Sequence, residues 1–315
     1  MKCLILNRVV LLLVVACAVA GGGAAKVCAQ SCDPDQSCGS GPACVSNVPR
    51  SLVFVGAGAG LAVVRSGEQS VSNTGISNVF DRGMLLSTGT ATGPPVTPTL
   101  GTKSDFVPLV QLGYFQHFSD SDWLWGVKYS YSYLGLGTTL AKDNLIIPQM
   151  GTSTGAALPT FEGFSVTRSY DVFIDHQMAL VPFVGRSFKN SFAYAGAGPS
   201  LSRVGAGLHD VVGFADLTGG PLTGLVDISG RPQSDAQTQW AFGIAASVGV
   251  TYFITPSCFL DVGYTFSNPF PHKFHVEGPF QNDAFSPLVL TGTLIGDYTA
   301  KVNTHSITVS LNVGF

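Results

Sequence analysis

The last thirteen residues, 303–315, constrain the fold more than any other stretch of this chain. Counting back from the end, Phe315, Val313, Leu311, Val309 and Ile307 are apolar, while Gly314, Asn312, Ser310, Thr308 and Ser306 between them are small or polar. Strict alternation of this kind belongs to a β-strand with one apolar and one polar face. A run of about nine to eleven such residues is also the length at which a tilted strand crosses a bilayer. A single strand cannot remain in hydrocarbon, because its edges carry unpaired N–H and C=O groups. The rest of the chain has to supply strands that close a sheet around it.

The remaining sequence has the composition for that. Of the 315 residues, 45% are hydrophobic and only 11% charged, against about 25% charged in an ordinary soluble domain. Beyond the N-terminus no apolar run approaches the about 20 residues of a spanning helix. The formal charge is −3, and no polybasic tract is present, so nucleic acid is not expected as a partner.

The first residues read as a secretion signal, 1–29: Lys2 and Arg8 precede an apolar run over 9–20 that ends in the small-x-small triplet Ala18, Val19, Ala20. Cleavage after residue 20 or after Ala29 fits the pattern, and Val14, Val15, Ala16 and Cys17 also resemble a lipidation box. Removing 1–29 takes three cations and no acid, moving the charge from −3 to −6. Residues 30–50 form a Cys-, Ser- and Gly-rich periplasmic segment without periodicity. Cys32, Cys38 and Cys44 there, with Cys258, are disulfide candidates in an oxidising compartment. Zinc is the weaker reading, because a tight Cys-x-x-Cys pair is missing.

Residues 51–315 read as a transmembrane β-barrel. Strands are expected over 52–64, 106–118, 123–133, 170–188, 191–203, 237–253, 258–266 and 303–315. In 123–133 the residues Trp123, Trp125, Val127, Tyr129, Tyr131 and Tyr133 alternate with Leu124, Gly126, Lys128, Ser130 and Ser132. Aromatics at both ends of an apolar face are the girdle pattern of a membrane barrel. Trp240, Tyr252 and Tyr264 extend that girdle to other strands. On 170–188 one parity holds Val172, Ile174, Met178, Leu180 and Val184, and His176 breaks it. Connections alternate long and short, with long loops over 66–105, 135–168, 204–236 and 267–302. The expected fold class is therefore all-β: an eight-stranded antiparallel up-and-down barrel with short periplasmic turns and four long external loops. A ten-strand count follows if 288–295 pairs separately.

The glycine-rich segments 57–60 and 195–198, the four hairpins and the ending 301–315 resemble the small outer-membrane barrels of the OmpA transmembrane-domain and opacity-type porin superfamily. That resemblance implies insertion by the barrel-assembly machinery, with Phe315 as the assembly signal. It also implies outer-membrane lipid and lipopolysaccharide as surroundings, and loops that meet a surface ligand. No cofactor is expected.

Inward-parity charges Lys128, Asp171, Asp175, Asp261 and Arg203 read as a lumen polar network. An eight-strand interior is just wide enough to be filled by side chains, so a plug is favoured over a passive solute pore. Similar barrels also include lipid-modifying enzymes and proteases. A nucleophile needs a base within hydrogen-bond reach. His305 and Ser306 are adjacent on a strand and point to opposite faces. His272, His275 and Glu277 lie in the last long loop, where two histidines and a carboxylate would suit a metal if they gathered, but such loop residues are more often simply solvated, so no metal or catalytic site is expected.

Overall fold

The computed structural model describes residues 48–140, 144–154, 160–217 and 222–315. The expected signal peptide with Cys17, and the candidates Cys32, Cys38 and Cys44, lie outside the described residues. Numbered in chain order, the strands are β1 (Ser51–Ser66), β2 (Val71–Asp81), β3 (Met84–Thr92), β4 (Thr102–His117), β5 (Trp123–Leu140), β6 (Leu145–Thr154) and β7 (Thr160–Ser187). They continue with β8 (Ser191–Leu217), β9 (Gly224–Asp227), β10 (Gln233–Thr255), β11 (Cys258–Pro269), β12 (His272–Asn282), β13 (Leu288–Ala300) and β14 (Val302–Gly314).

Every pairing is antiparallel. Pairing runs β1–β4–β5–β7–β8–β10–β11–β14 and returns to β1. The closing ladder sets Phe54 opposite Gly314 and Ser66 opposite Val302, so the C-terminal strand pairs with the first one, as its alternation requires. The glycine row of β1 makes this approach close. A Cβ on Gly58 would lie 2.0 Å from the Val309 carbonyl oxygen, and one on Gly60 2.1 Å from that of Ile307. Only glycine fits there.

The expectation of eight strands joined by four long loops is corrected. Among the described residues there are fourteen strands, and the segments read as loops carry β2, β3, β6, β9, β12 and β13. Residues 288–300 pair with β12 and β2, separately from β14. Ser, Thr and Gly mask strands in these segments, because polar β-branched residues such as Thr88, Thr90 and Thr92 pair well where the outward face meets solvent.

These extra strands prolong one end of the ring. β7 and β8 run on beyond it, carrying β6, β3, β2, β13 and β12 on one side and β9 on the other. Their inner faces share an apolar core that includes Tyr170, Val172, Ile174, Leu208, Phe274 and Tyr298. At the opposite, short-turn end a second cluster gathers Phe54, Phe115, Phe183, Phe192, Phe253 and Phe259, with Val48 from the incoming chain.

Candidate functional site: the filled lumen and the outer belt

Between the two apolar clusters the inward residues of the ring are mainly polar, with Leu109, Ala179, Val181 and Ala245 as the apolar exceptions. Lys128 on β5, Asp261 on β11 and Gln111 on β4 are 7%, 4% and 3% exposed. Lys128 Nζ lies 3.3 Å from Asp261 Oδ2 and also donates to the Tyr194 hydroxyl, which donates onward to Asp261 at 3.2 Å. Thr251 reaches the other carboxylate oxygen at 3.1 Å. Gln111 Nε2 donates to Ser310 and to Asn312, each at 2.8 Å, and contacts Asp261 Oδ2 at 3.3 Å. The strands that supply these groups face one another across the ring, so the network spans the lumen. A buried charge pair is tolerated when its remaining donors and acceptors are also satisfied, which is the situation of Asp261. Tighter rings lie on either side: Gln177 bonds Thr304 at 2.9 Å towards the extended end, and the Phe54–Phe259 and Phe253–Phe259 ring contacts, 5.3 and 4.9 Å, lie towards the short turns.

Of the five charges expected in this network, Lys128 and Asp261 are there and three are not. Asp171 bonds His209 on the face opposite to Tyr170, Val172 and Ile174. Arg203 donates to Thr238 at 3.1 Å on the exposed side. Asp175 is the extra residue of a bulge, because the register with β8 steps from Ile174 to His176 against Val204 to Arg203. One inserted residue exchanges the two faces of everything beyond it. That is why Val172 and Ile174 are buried inside while Leu180 and Val184 on the same parity are exposed outside. The neighbouring strand answers with Gly135 at φ 57°, a left-handed conformation suited to glycine. Tyr194, Thr251, Ser310 and Asn312 complete the network without having been singled out from sequence. Their signal was their inward parity, since a buried charge needs polar neighbours on the same face.

The outer face of the ring is apolar. Val53, Val55 and Leu61 on β1, Val110 and Leu112 on β4, Leu180 and Val184 on β7, Ile244, Val248 and Val250 on β10, and Val262, Ile307 and Val309 are all exposed. No Asp, Glu, Lys or Arg interrupts this belt between Arg186 at the short-turn end and Arg203 at the other. Trp123, Trp125 and Tyr252 border it on one side, and Tyr131, Tyr133 and Trp240 on the other, while Tyr264 lies within it, opposite Val248 and Ile307. From Trp240 to Tyr252 β10 covers about 40 Å of strand at ~3.3 Å per residue, or roughly 30 Å of height at a tilt of about 40°. His176 stacks between the rings of Tyr131 and Trp240, each 6.0 Å away. His305 accepts or donates a 2.7 Å bond with the Tyr264 hydroxyl on this outer face, whereas Ser306 is buried inside. The two point to opposite walls, as their adjacency dictates.

The histidines of the last long segment do not assemble a metal site. His275 lies between Asp297, 2.7 Å from Nδ1, and Glu277, 3.2 Å from Nε2, while His272 packs on the Phe274 ring. Among the described residues no three His, Cys, Asp or Glu side chains are grouped to hold a metal ion. The hydrogen bond with Asp297, followed by that with Glu277, raises the His275 pKa above its ordinary 6.5. Cys258 begins β11 at the short-turn end, opposite Val313. Phe315 is exposed there, its backbone N–H bonded to the Val53 carbonyl at 2.8 Å.

Compared by sequence, the chain matches no family model and no curated protein. Compared by structure, it is similar to the outer membrane protein OprG of Pseudomonas aeruginosa, at 11% identity and a TM-score of 0.33, over 85% of this chain and 98% of that one. Neisserial surface protein A is similar at 15% identity and 0.28, over 81% and 99%. The attachment invasion locus protein Ail of Yersinia pestis is similar at 14% and 0.23, over 75% and 99%. At these scores the likenesses carry no functional argument. These three solved chains are small outer-membrane β-barrel proteins.

Proposed function

We propose that this chain is an integral outer-membrane protein whose eight-strand ring spans the bilayer, with its extended β-structure outside the cell as an interaction surface. The observation that carries the reading is the belt: a closed ring of strands whose outward faces are apolar, free of charge and edged by Trp and Tyr. A soluble monomer rarely exposes apolar patches beyond a few hundred Å2, yet here Phe242 alone is 69% exposed and its strand neighbours follow suit. The belt's height agrees with the about 30 Å of a hydrocarbon core. The ring has no open edge, the condition for a sheet in lipid. The expected signal peptide supports export, and Phe315, at the end of the closing strand, serves the barrel-assembly machinery. Outer-membrane lipid and lipopolysaccharide then surround the belt.

The role is structural and interactive rather than catalytic or porin-like. The lumen is crossed by the Lys128–Tyr194–Asp261–Gln111 network, and His305 and Ser306 stand on opposite walls. The test is heat-modifiable gel mobility of outer-membrane fractions. The unboiled protein is expected to migrate faster than the boiled one and to sediment with the outer membrane. Recovery only in the soluble periplasm, with one mobility, would refute the reading.

A further inference from the structure

Above the ring, the first residues of β10 face β12 without a backbone ladder between them. Two glutamines cross the seam instead, Gln233 Nε2 donating to the Pro279 carbonyl at 2.9 Å and Gln237 Nε2 to that of His275 at 3.4 Å. A cavity of about 130 Å3 opens in this seam, walled by Leu208, Val211, Val276 and Leu294 on one part and by polar groups on the other. Its size is close to the about 150 Å3 of a protein cavity that takes up benzene.

Asn73 on β2 lines this cavity and is 1% exposed. Its Nδ2 donates to Ser165 Oγ at 2.9 Å, but its Oδ1 has no partner. Exchanging the amide's oxygen and nitrogen would only replace an orphaned acceptor with an orphaned donor. Buried polar atoms without partners are rare and call for a physical account. Asp235 and Glu277 also line the space, and no Lys or Arg does. The Tyr298 hydroxyl is already turned to Asp235 Oδ2 at 3.5 Å. Gln233 and Ser234, the other polar lining residues, direct their donors to the Pro279 carbonyl and to Asp210, so acceptors and negative charge exceed free donors on the polar wall.

We infer that this seam binds a small primary ammonium cation on a short apolar stem. The ammonium donates to Asn73 Oδ1 and to the Asp235 carboxylate, with exposed Glu277 on the rim drawing the cation in. The stem lies against Leu208, Val211, Val276 and Leu294. A bare metal ion would leave that apolar wall uncovered. The site is built above the ring and does not depend on whether the ring sits in lipid.

The test uses the full chain, folded in detergent micelles and methyl-labelled at Leu and Val, titrated with n-butylammonium chloride. Saturable shifts of the Leu208, Val211, Val276 and Leu294 methyls are expected. Affinity should fall at least tenfold in the Asp235→Asn, Glu277→Gln double variant and stay unchanged in Asp283→Asn, an exposed acid outside the cavity. An unshifted heat-modifiable mobility shows that each variant is folded. Absence of saturable shifts, equal shifts with neutral n-butanol, or an unchanged affinity in the double variant would each overturn the proposal. N-acetyl-lysinamide separates two sources of the same cation: saturation by it as well assigns lysine side chains of peptides, and saturation by butylammonium alone assigns free amines.

Discussion

At the scale of single residues, the lumen network explains why a charge can sit at the middle of a membrane-sized ring. Asp261 accepts from Thr251, Tyr194, Gln111 and Lys128, so both carboxylate oxygens are occupied. Removing one member of a buried pair leaves the other charged and unmatched, which typically costs about 3–5 kcal/mol. Asp261→Ala should therefore lower stability by about that amount, read as the urea midpoint of the mobility shift in micelles. The double variant Lys128→Met, Asp261→Leu removes both charges, and such replacements are often neutral or stabilising. It should recover most of the loss. Equal loss in the single and the double variant would show that packing, rather than the stranded charge, dominates. Asp175→Asn, at the bulge and outside the network, should change stability little.

Among the elements, the ring strands were legible because a strand with one face in an apolar solvent and one in a packed lumen must alternate. The faces of 123–133 and 303–315 match the observed burial. The alternation failed at β7, where the unpaired Asp175 exchanges faces and moves Asp171 to the outer side. A bulge leaves no mark in a residue-by-residue pattern except a break such as His176. Of the extra strands only β13 was legible, as the alternative in which 288–295 pairs separately; the others were not, since their polar faces resemble loop composition and their apolar faces meet only in the folded core. The β12–β13 hairpin among them carries a pH dependence. Its cross-strand pair His275–Asp297 raises the His275 pKa above 6.5. A raised folded-state value means the added stability is fully present below the unfolded pKa and lost as pH rises through the folded one. Amide protection across this hairpin, corrected for intrinsic exchange, should decline over that window, and the His275 ring should titrate above 6.5. A His275→Gln variant should show no such decline; a decline that persists in it would assign the effect elsewhere. The pair is exposed, so the effect should be small and salt-sensitive.

For the molecule as a whole, three layers fill the interior in series: an aromatic cluster at the short-turn end, the polar network, and the apolar core beneath the extra strands. Each alone would close an interior that eight strands leave just wide enough for side chains. Conduction would require all three to open together, and the layer at the short-turn end is built mainly of packed Phe rings. The purified protein in planar bilayers should therefore show no steady unitary conductance. Neutralising the middle layer alone, with Lys128→Met and Asp261→Leu, should not create any, because the layers above and below remain closed. Steady openings in the unaltered protein that disappear in this double variant would mean that the charges line a path, and would replace the plug with a pore.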